Sequence, residues 1–94
     1  MRIVWSPLAR GDLRHVEAYI RKHDPRATRE TARKIKQATR RLADFPASGR
    51  PGRWPNTREL VVPDTPYILP YCVKDDEPWI IAVLHAAKKW PESG

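Results

Sequence analysis

The sequence predicts an α+β fold of two layers, in the element order β-α-α-β-β-β, and three observations carry that prediction. Two runs near the start repeat their apolar residues at helical spacing and are opened by cap-plus-proline pairs, Ser6-Pro7 and Asp24-Pro25. Three later runs, within Thr57 to Pro91, are rich in Val, Ile, Leu, Tyr and Trp, the residues that suit a pleated, half-buried surface. Pro63-Asp64 and Asp75-Asp76 supply turn chemistry between those runs, which describes a three-stranded antiparallel meander.

In chain order, Arg2 to Trp5 is a short run of strand propensity, stopped by Ser6-Pro7. Ser6 is a good N-cap, and Pro7 fits the first helical position, where its missing N–H costs nothing. Ala9, Leu13, Val16 and Ile20 then fall four, three and four residues apart, one face of a helix that runs to His23 and tolerates Gly11 in its first half. Asp24-Pro25 closes this helix and opens the next through a connection short enough to make the two antiparallel neighbours. The second helix, Pro25 to about Asp44, is expected to carry Ile35, Ala38, Leu42 and Phe45 on its buried face. At 100° per residue, Arg26, Arg29, Arg33, Lys36 and Arg40 form a basic stripe on roughly the opposite side.

From residue 46 to 56 the chain reads PASGRPGRWPN, and its three prolines, two glycines and serine exclude regular structure there. The strands of the meander are expected at Thr57 to Val62, Tyr67 to Val73 and Trp79 to Leu84. Pro70, inside the second, removes a ladder hydrogen bond, so that strand is expected at an edge or with a bulge.

With 94 residues there is room for one domain, residues 1–94, burying roughly 60 to 65% of its unfolded surface. Lysine and arginine number 18 against 11 acids, a net charge of +7, and the resulting field favours an anionic partner: nucleic acid, an acidic peptide or an acidic lipid surface. The apolar runs are too short to span a bilayer and the N-terminus lacks a secretory h-region, so a cytoplasmic protein without a membrane partner is expected. Cys72 is the only cysteine, which excludes an intrachain disulfide and reads as a small core residue. No metal-ligand spacing, nucleophile motif or Gly-rich phosphate loop is present, so neither metal nor cofactor is expected.

The candidate functional residues gather in two places. Arg50, Arg53 and Trp54 make the loop basic with an aromatic among the charges, suited either to phosphate and base or to the anchoring of a protein partner. At the chain end, His85 is followed by Lys88, Lys89 and Trp90. Arg50, Arg53, Arg58 and Lys88 are able to hold phosphates, and Glu59 with His85 has the chemistry to share a proton transfer. The plainer reading of Glu59 is half of a surface ion pair beside Arg58; that of His85 is a hydrogen-bonded strand end. His15 and His23 read as surface residues of the first helix, and the basic stripe of the second helix either keeps the protein soluble or tracks an anionic partner.

Four blocks in this order, WSPLARGDLRHVEAYI, LADFPASGRPGR, TRELVVPDTPYILPY and VLHAAKKWP, resemble the RelE/ParE superfamily of bacterial type II toxins over nearly the whole chain. The resemblance implies an antiparallel sheet ordered 1-4-3-2, with the first strand beside the last and the helical hairpin on one face. It also implies one of two activities. RelE-type members are ribosome-dependent endoribonucleases, for which Glu59, His85 and Arg58 are the candidate catalytic residues. ParE-type members poison DNA gyrase and cut nothing; for them Arg50, Arg53, Trp54, Arg58, His85, Lys88, Lys89 and Trp90 are the candidate residues for contact with target or antitoxin. Many RNA-cutting relatives carry an arginine in an Arg-Leu/Ile-x-Tyr pattern and end on an arginine or histidine closely followed by tyrosine. Here the first reads Ile68-Leu69-Pro70-Tyr71, and no tyrosine follows His85, which favours the ParE type. The implied partners are a cognate acidic antitoxin, ParD-like or RelB-like, with operator DNA reached only through it, and gyrase, or ribosome and messenger in the nuclease alternative. A third reading is an inactive homologue serving as an antitoxin- or promoter-binding subunit.

Overall fold

Both helices begin where the cap-plus-proline pairs place them. The computed structural model describes residues 2–88 and 90, and has the order β1 (Val4–Trp5), α1 (Pro7–His23), α2 (Pro25–Asp44), β2 (Arg50–Pro51), β3 (Arg58–Val61), β4 (Tyr67–Lys74), β5 (Glu77–Ile80) and β6 (Leu84–His85). Ser6 Oγ accepts the Ala9 N–H at 3.0 Å and donates to Ile81 O at 2.9 Å, so one hydroxyl caps α1 and ties its start to the sheet. The Asp24 carboxylate accepts from Ala27 N at 3.4 Å, while its own N–H closes α1 on Ile20 O.

The sheet runs β1-β5-β4-β3-β2, with β6 also on β4. The four expected strands thus stand in the expected order, the first beside the last. Three details differ from expectation. The β1–β5 pair is parallel, Val4 opposite Trp79 and Trp5 opposite Ile80, because the helical hairpin and the zigzag of strands return the chain to its starting direction. The 46–56 loop is not free of regular structure: Arg50 and Pro51 pair with Glu59 and Arg58 as a two-residue strand on the β3 edge. The last expected strand is split into β5 and β6.

That split is a β-bulge. Tyr71 pairs with Ile80 and Ile68 with Leu84, so three residues, 81 to 83, face the two residues 69 and 70 of β4. Pro70 therefore lies in a central strand, and the irregularity its missing N–H requires sits in the neighbour. Its carbonyl still accepts from Ile81 N at 2.8 Å, and the Val83 N–H, turned out of the ladder by the bulge, is met by Asp12 Oδ2 of α1 at 3.0 Å. Asp75 and Asp76 both adopt positive φ, 52° and 61°, in the two-residue turn between Lys74 and Glu77, the conformation a tight hairpin with right-handed twist demands.

Alternation along β4 sorts its side chains between the faces. Tyr67, Leu69 and Tyr71 join Ala9, Ile35, Ala38 and Leu42 in the core beneath the helices, with Leu13, Val16 and Ile20 packed against it. Ile68, Pro70 and Glu59 take the other face and are also buried. Phe45, expected in the core, is 66% exposed; it is the residue after α2, where φ −132° and ψ 74° leave the helical spiral. The charged stripe Arg26, Arg29, Arg33, Lys36 and Arg40 is exposed throughout, and Arg33 pairs with Glu30 one turn away.

Two substitutions test this packing with opposite signs. Leu42, with 0% exposure, should cost about 2–5 kcal/mol on replacement by alanine. Gly11 lies inside α1, exposed, and an added Cβ would meet nothing within 4 Å, so Gly11→Ala should raise stability by about 1 kcal/mol. Denaturant melts of both variants check the assignment; a Leu42→Ala midpoint equal to the parent's would contradict it.

Candidate functional site: a basic loop held on a buried glutamate

The basic loop folds the way it does because Glu59 is buried. Its side chain is only 4% exposed, on the sheet face away from the helices, and a carboxylate there requires cationic partners. Arg50, directly opposite in β2, donates to Oε1 from Nε at 3.1 Å and from Nη2 at 3.0 Å. Arg53 donates its backbone N–H to Oε2 at 2.8 Å, and its guanidinium pairs with the same oxygen at 3.5 Å. Both arginine side chains remain 52% exposed, so the cluster offers cationic surface while the carboxylate fixes its position. The loop itself is closed by Gly52 N on Thr57 O at 2.8 Å and by Thr57 Oγ1 on Trp54 O at 2.7 Å.

Trp90 is stacked onto this loop. The Arg53 guanidinium lies 3.6 Å from the centre of the Trp90 ring, the Trp54 and Trp90 rings are 5.7 Å apart, and Trp90 Nε1 donates to His85 O at 3.2 Å. Arg50, Arg53, Trp54, Trp90 and the His85 backbone are thus one connected cluster. Trp90 is 9% exposed and acts as its support, whereas the arginines form its surface.

Other candidates lie apart. Arg58 points to the helix side of the sheet and donates to Gly49 O at 2.9 Å, holding the segment after α2 together with Tyr71, whose hydroxyl donates to Pro46 O and accepts from Gly49 N. Burial pushes the Tyr71 phenol's pKa up, against the Gly49 N–H and Arg58, so it stays a neutral donor. Gly49 is required there, since a Cβ would stand 2.6 Å from the Tyr71 ring. Lys88 is exposed, with its ammonium 5.7 Å from the Tyr19 ring. Lys89 lies outside the described residues. Asp12 and Tyr71, which set the backbone of the two segments, were not among the sequence candidates.

Glu59 and His85 do not meet. Glu59 pairs across the sheet with Pro70 and His85 with Tyr67, three positions along β4, which places their side chains on opposite faces. The His85 ring packs edge-on to Tyr67, with centroids 5.8 Å apart, and its Nδ1 accepts from Ala87 N at 3.1 Å. Nor is Glu59 half of a surface pair with Arg58, its chain neighbour on the other face. Among the described residues no group of three or more His, Cys, Asp and Glu is placed to hold a metal. Glu59→Gln keeps the shape and removes the charge, and should cost about 1–2 kcal/mol, moderated because the arginines are half hydrated. Thermal melting with tryptophan emission checks this; an unchanged melt and spectrum would mean that the carboxylate does not hold the loop.

Comparison with known proteins agrees with this architecture. Residues 3–90 match the family model described as the ParE toxin of the type II toxin–antitoxin system parDE. The chain is 46% identical over 91 residues to the Y4kP protein of Sinorhizobium fredii, covering 97% of this chain and 94% of that one. It is 36% identical over 87 residues to toxin RelE2 of Caulobacter vibrioides, covering 93% and 97%. A solved structure from the chromosomal ParDE system of P. aeruginosa superposes with a TM-score of 0.81 at 23% identity, over 90% of this chain and 95% of that one. The chain therefore belongs to the ParE toxin family of type II toxin–antitoxin systems.

Proposed function

We propose that this toxin acts in the cytoplasm by binding DNA gyrase through the cationic surface of the Glu59-anchored loop, without turning over a substrate. The observation that carries this reading is the fate of the two candidate acid–base residues. A general acid and base must both reach the reacting groups, whereas Glu59 is enclosed by two arginines on one face of the sheet and His85 sits on the other. A contact surface needs only position and charge. Half-exposed Arg50 and Arg53, with Trp54 beside them, supply anchors of the kind that dominate interfaces.

Neutralisation by an acidic antitoxin fits a second feature. Between α2 and the β3 edge lies an open groove of about 830 Å³ that includes the apolar side chains of Phe45, Leu60 and Val61 and the cationic ones of Arg33, Lys34 and Arg41. Phe45 and Val61 are 66% and 46% exposed in the free chain, and β2 pairs with Arg58 and Glu59, so that among the described residues no strand covers the outer side of Leu60 and Val61. An amphipathic acidic segment, ParD-like in character and disordered when free, meets both requirements. Association should slow as salt rises.

The test is supercoiling by purified gyrase in parallel with messenger cleavage on programmed ribosomes. Gyrase inhibition should fall in steps: most for Arg53→Ala and for Trp90→Ala, which releases Arg53 and Trp54, and least for Lys88→Ala at the rim, with anchor losses of about 2 kcal/mol or more. Ribosome-dependent cleavage lost by 10²- to 10⁴-fold in His85→Ala, an effect typical of removing a general acid or base, with gyrase unaffected, would replace this reading by the RelE type.

A further inference from the structure

The net charge of +7 is not spread over the molecule. In α2 seven lysines and arginines stand against two acids, whereas residues 45–94, which hold the sheet after β1 and the candidate loop, carry six of each and are neutral. Five of the α2 cations, Arg26, Arg29, Arg33, Lys36 and Arg40, fall within an arc of about 80° on its outer face, at 100° per residue, and all five are exposed. Successive members are three or four residues apart, the spacing at which like charges oppose a helix. Arg33 has an acidic partner, Glu30; among the described residues Arg26, Arg29, Lys36 and Arg40 have none. The helix thus carries a row of uncompensated charge that a mixed-sign surface would avoid and that a bound polyanion relieves.

The chemistry of the row selects among polyanions. No aromatic residue occurs in α2, so the bases of a single strand find nothing to stack on. Its apolar face, with Ile35, Ala38 and Leu42, is committed to the core and is not free to enter a bilayer. The row contains no apolar side chain to anchor a protein partner. Four of its five cations are arginines, whose guanidinium fork matches a phosphate. From Arg26 to Arg40 the row rises about 21 Å at 1.5 Å per residue, a length over which one strand of a duplex presents about six phosphates.

We propose that the outer face of α2 binds the phosphate backbone of double-stranded DNA, without reading its sequence, through Arg26, Arg29, Lys36 and Arg40. This contact belongs to the toxin itself and adds to any made through an antitoxin. None of the four residues lines the Phe45–Val61 groove, and the Glu59 loop lies on the other face of the sheet, so the contact is independent of the target the toxin acts on.

Fluorescence anisotropy of a labelled duplex of about 20 base pairs and mixed sequence, titrated with the purified chain from about 50 to 200 mM salt, tests it. The parent should bind with a slope of log affinity against log salt of about −4, as counterion release from four or five phosphates requires. Arg29→Gln, Lys36→Gln and Arg40→Gln together should weaken binding at least about tenfold at the lowest salt and flatten the slope by about 3, while melting no lower than the parent, since glutamine suits a helix and like-charge contacts are removed. Removing three exposed charges elsewhere, by Arg10→Gln, Arg14→Gln and Lys74→Gln, should leave the slope nearly unchanged. No binding at the lowest salt, an equal loss in the two triple variants, or tighter binding of the single strand, of polyglutamate or of phosphatidylserine vesicles than of the duplex would overturn the proposal.

Discussion

The burial of one carboxylate governs the conformation of the basic loop and the position of Trp90. Glu59, 4% exposed, stands in a strand whose face is otherwise apolar there, between Ile68 and Pro70 on one side and the loop on the other. An uncompensated carboxylate in such a place is expensive, and the compensation is drawn from Arg50 and Arg53, both supplied by a segment too rich in proline and glycine to order itself. The loop acquires its conformation from the charge it neutralises. Trp90 then stacks on Arg53 and so takes its position from the same pair. Because the carboxylate occupies only one side of each guanidinium, the arginines remain half exposed and available to a partner.

A second constraint separates the two ends of the sheet. Pro70 in a central strand leaves a gap in the ladder, the bulge at residues 81 to 83 accommodates it, and Asp12 takes up the Val83 N–H that the bulge frees. Beyond the bulge, His85 continues on the helix side with Tyr67. The consequence reaches function. The histidine whose chemistry pairs it with Glu59 in the sequence reading is delivered to the opposite face, beside Tyr67, and Glu59 is held by Arg50 and Arg53.

Much of the fold was legible in the sequence because its signals are local. Ser6-Pro7 and Asp24-Pro25 fix helix starts through a side-chain oxygen and a preset φ, and both helices begin at the prolines named. The double aspartate turn was equally readable. The bulge was only half readable: Pro70 requires an irregularity, but which strand carries it depends on the register of a neighbour. The pairing of Arg50-Pro51 with β3 was hidden because two residues leave no periodicity. Glu59 illustrates a signal that was present and differently weighed. Successive strand residues point to opposite faces, so Arg58 was never a partner for Glu59, and the arginines in the loop were the available cations. Phe45 followed the helical wheel only as long as the helix lasted.

We propose that the Glu59-anchored loop, with Trp90 stacked on it, is the surface through which this toxin acts. Hydrogen exchange on the complex with purified gyrase tests it most directly, because protection is read at backbone amides whatever the chemistry of the contact. Binding through this surface predicts that the amides of Arg50, of Gly52 to Trp54 and of His85 to Lys88 become protected on mixing, while those of α2 beside the Phe45–Val61 groove exchange as in the free chain. Unchanged exchange in both segments at gyrase concentrations that block supercoiling, or protection of them by programmed ribosomes in place of gyrase, would contradict it.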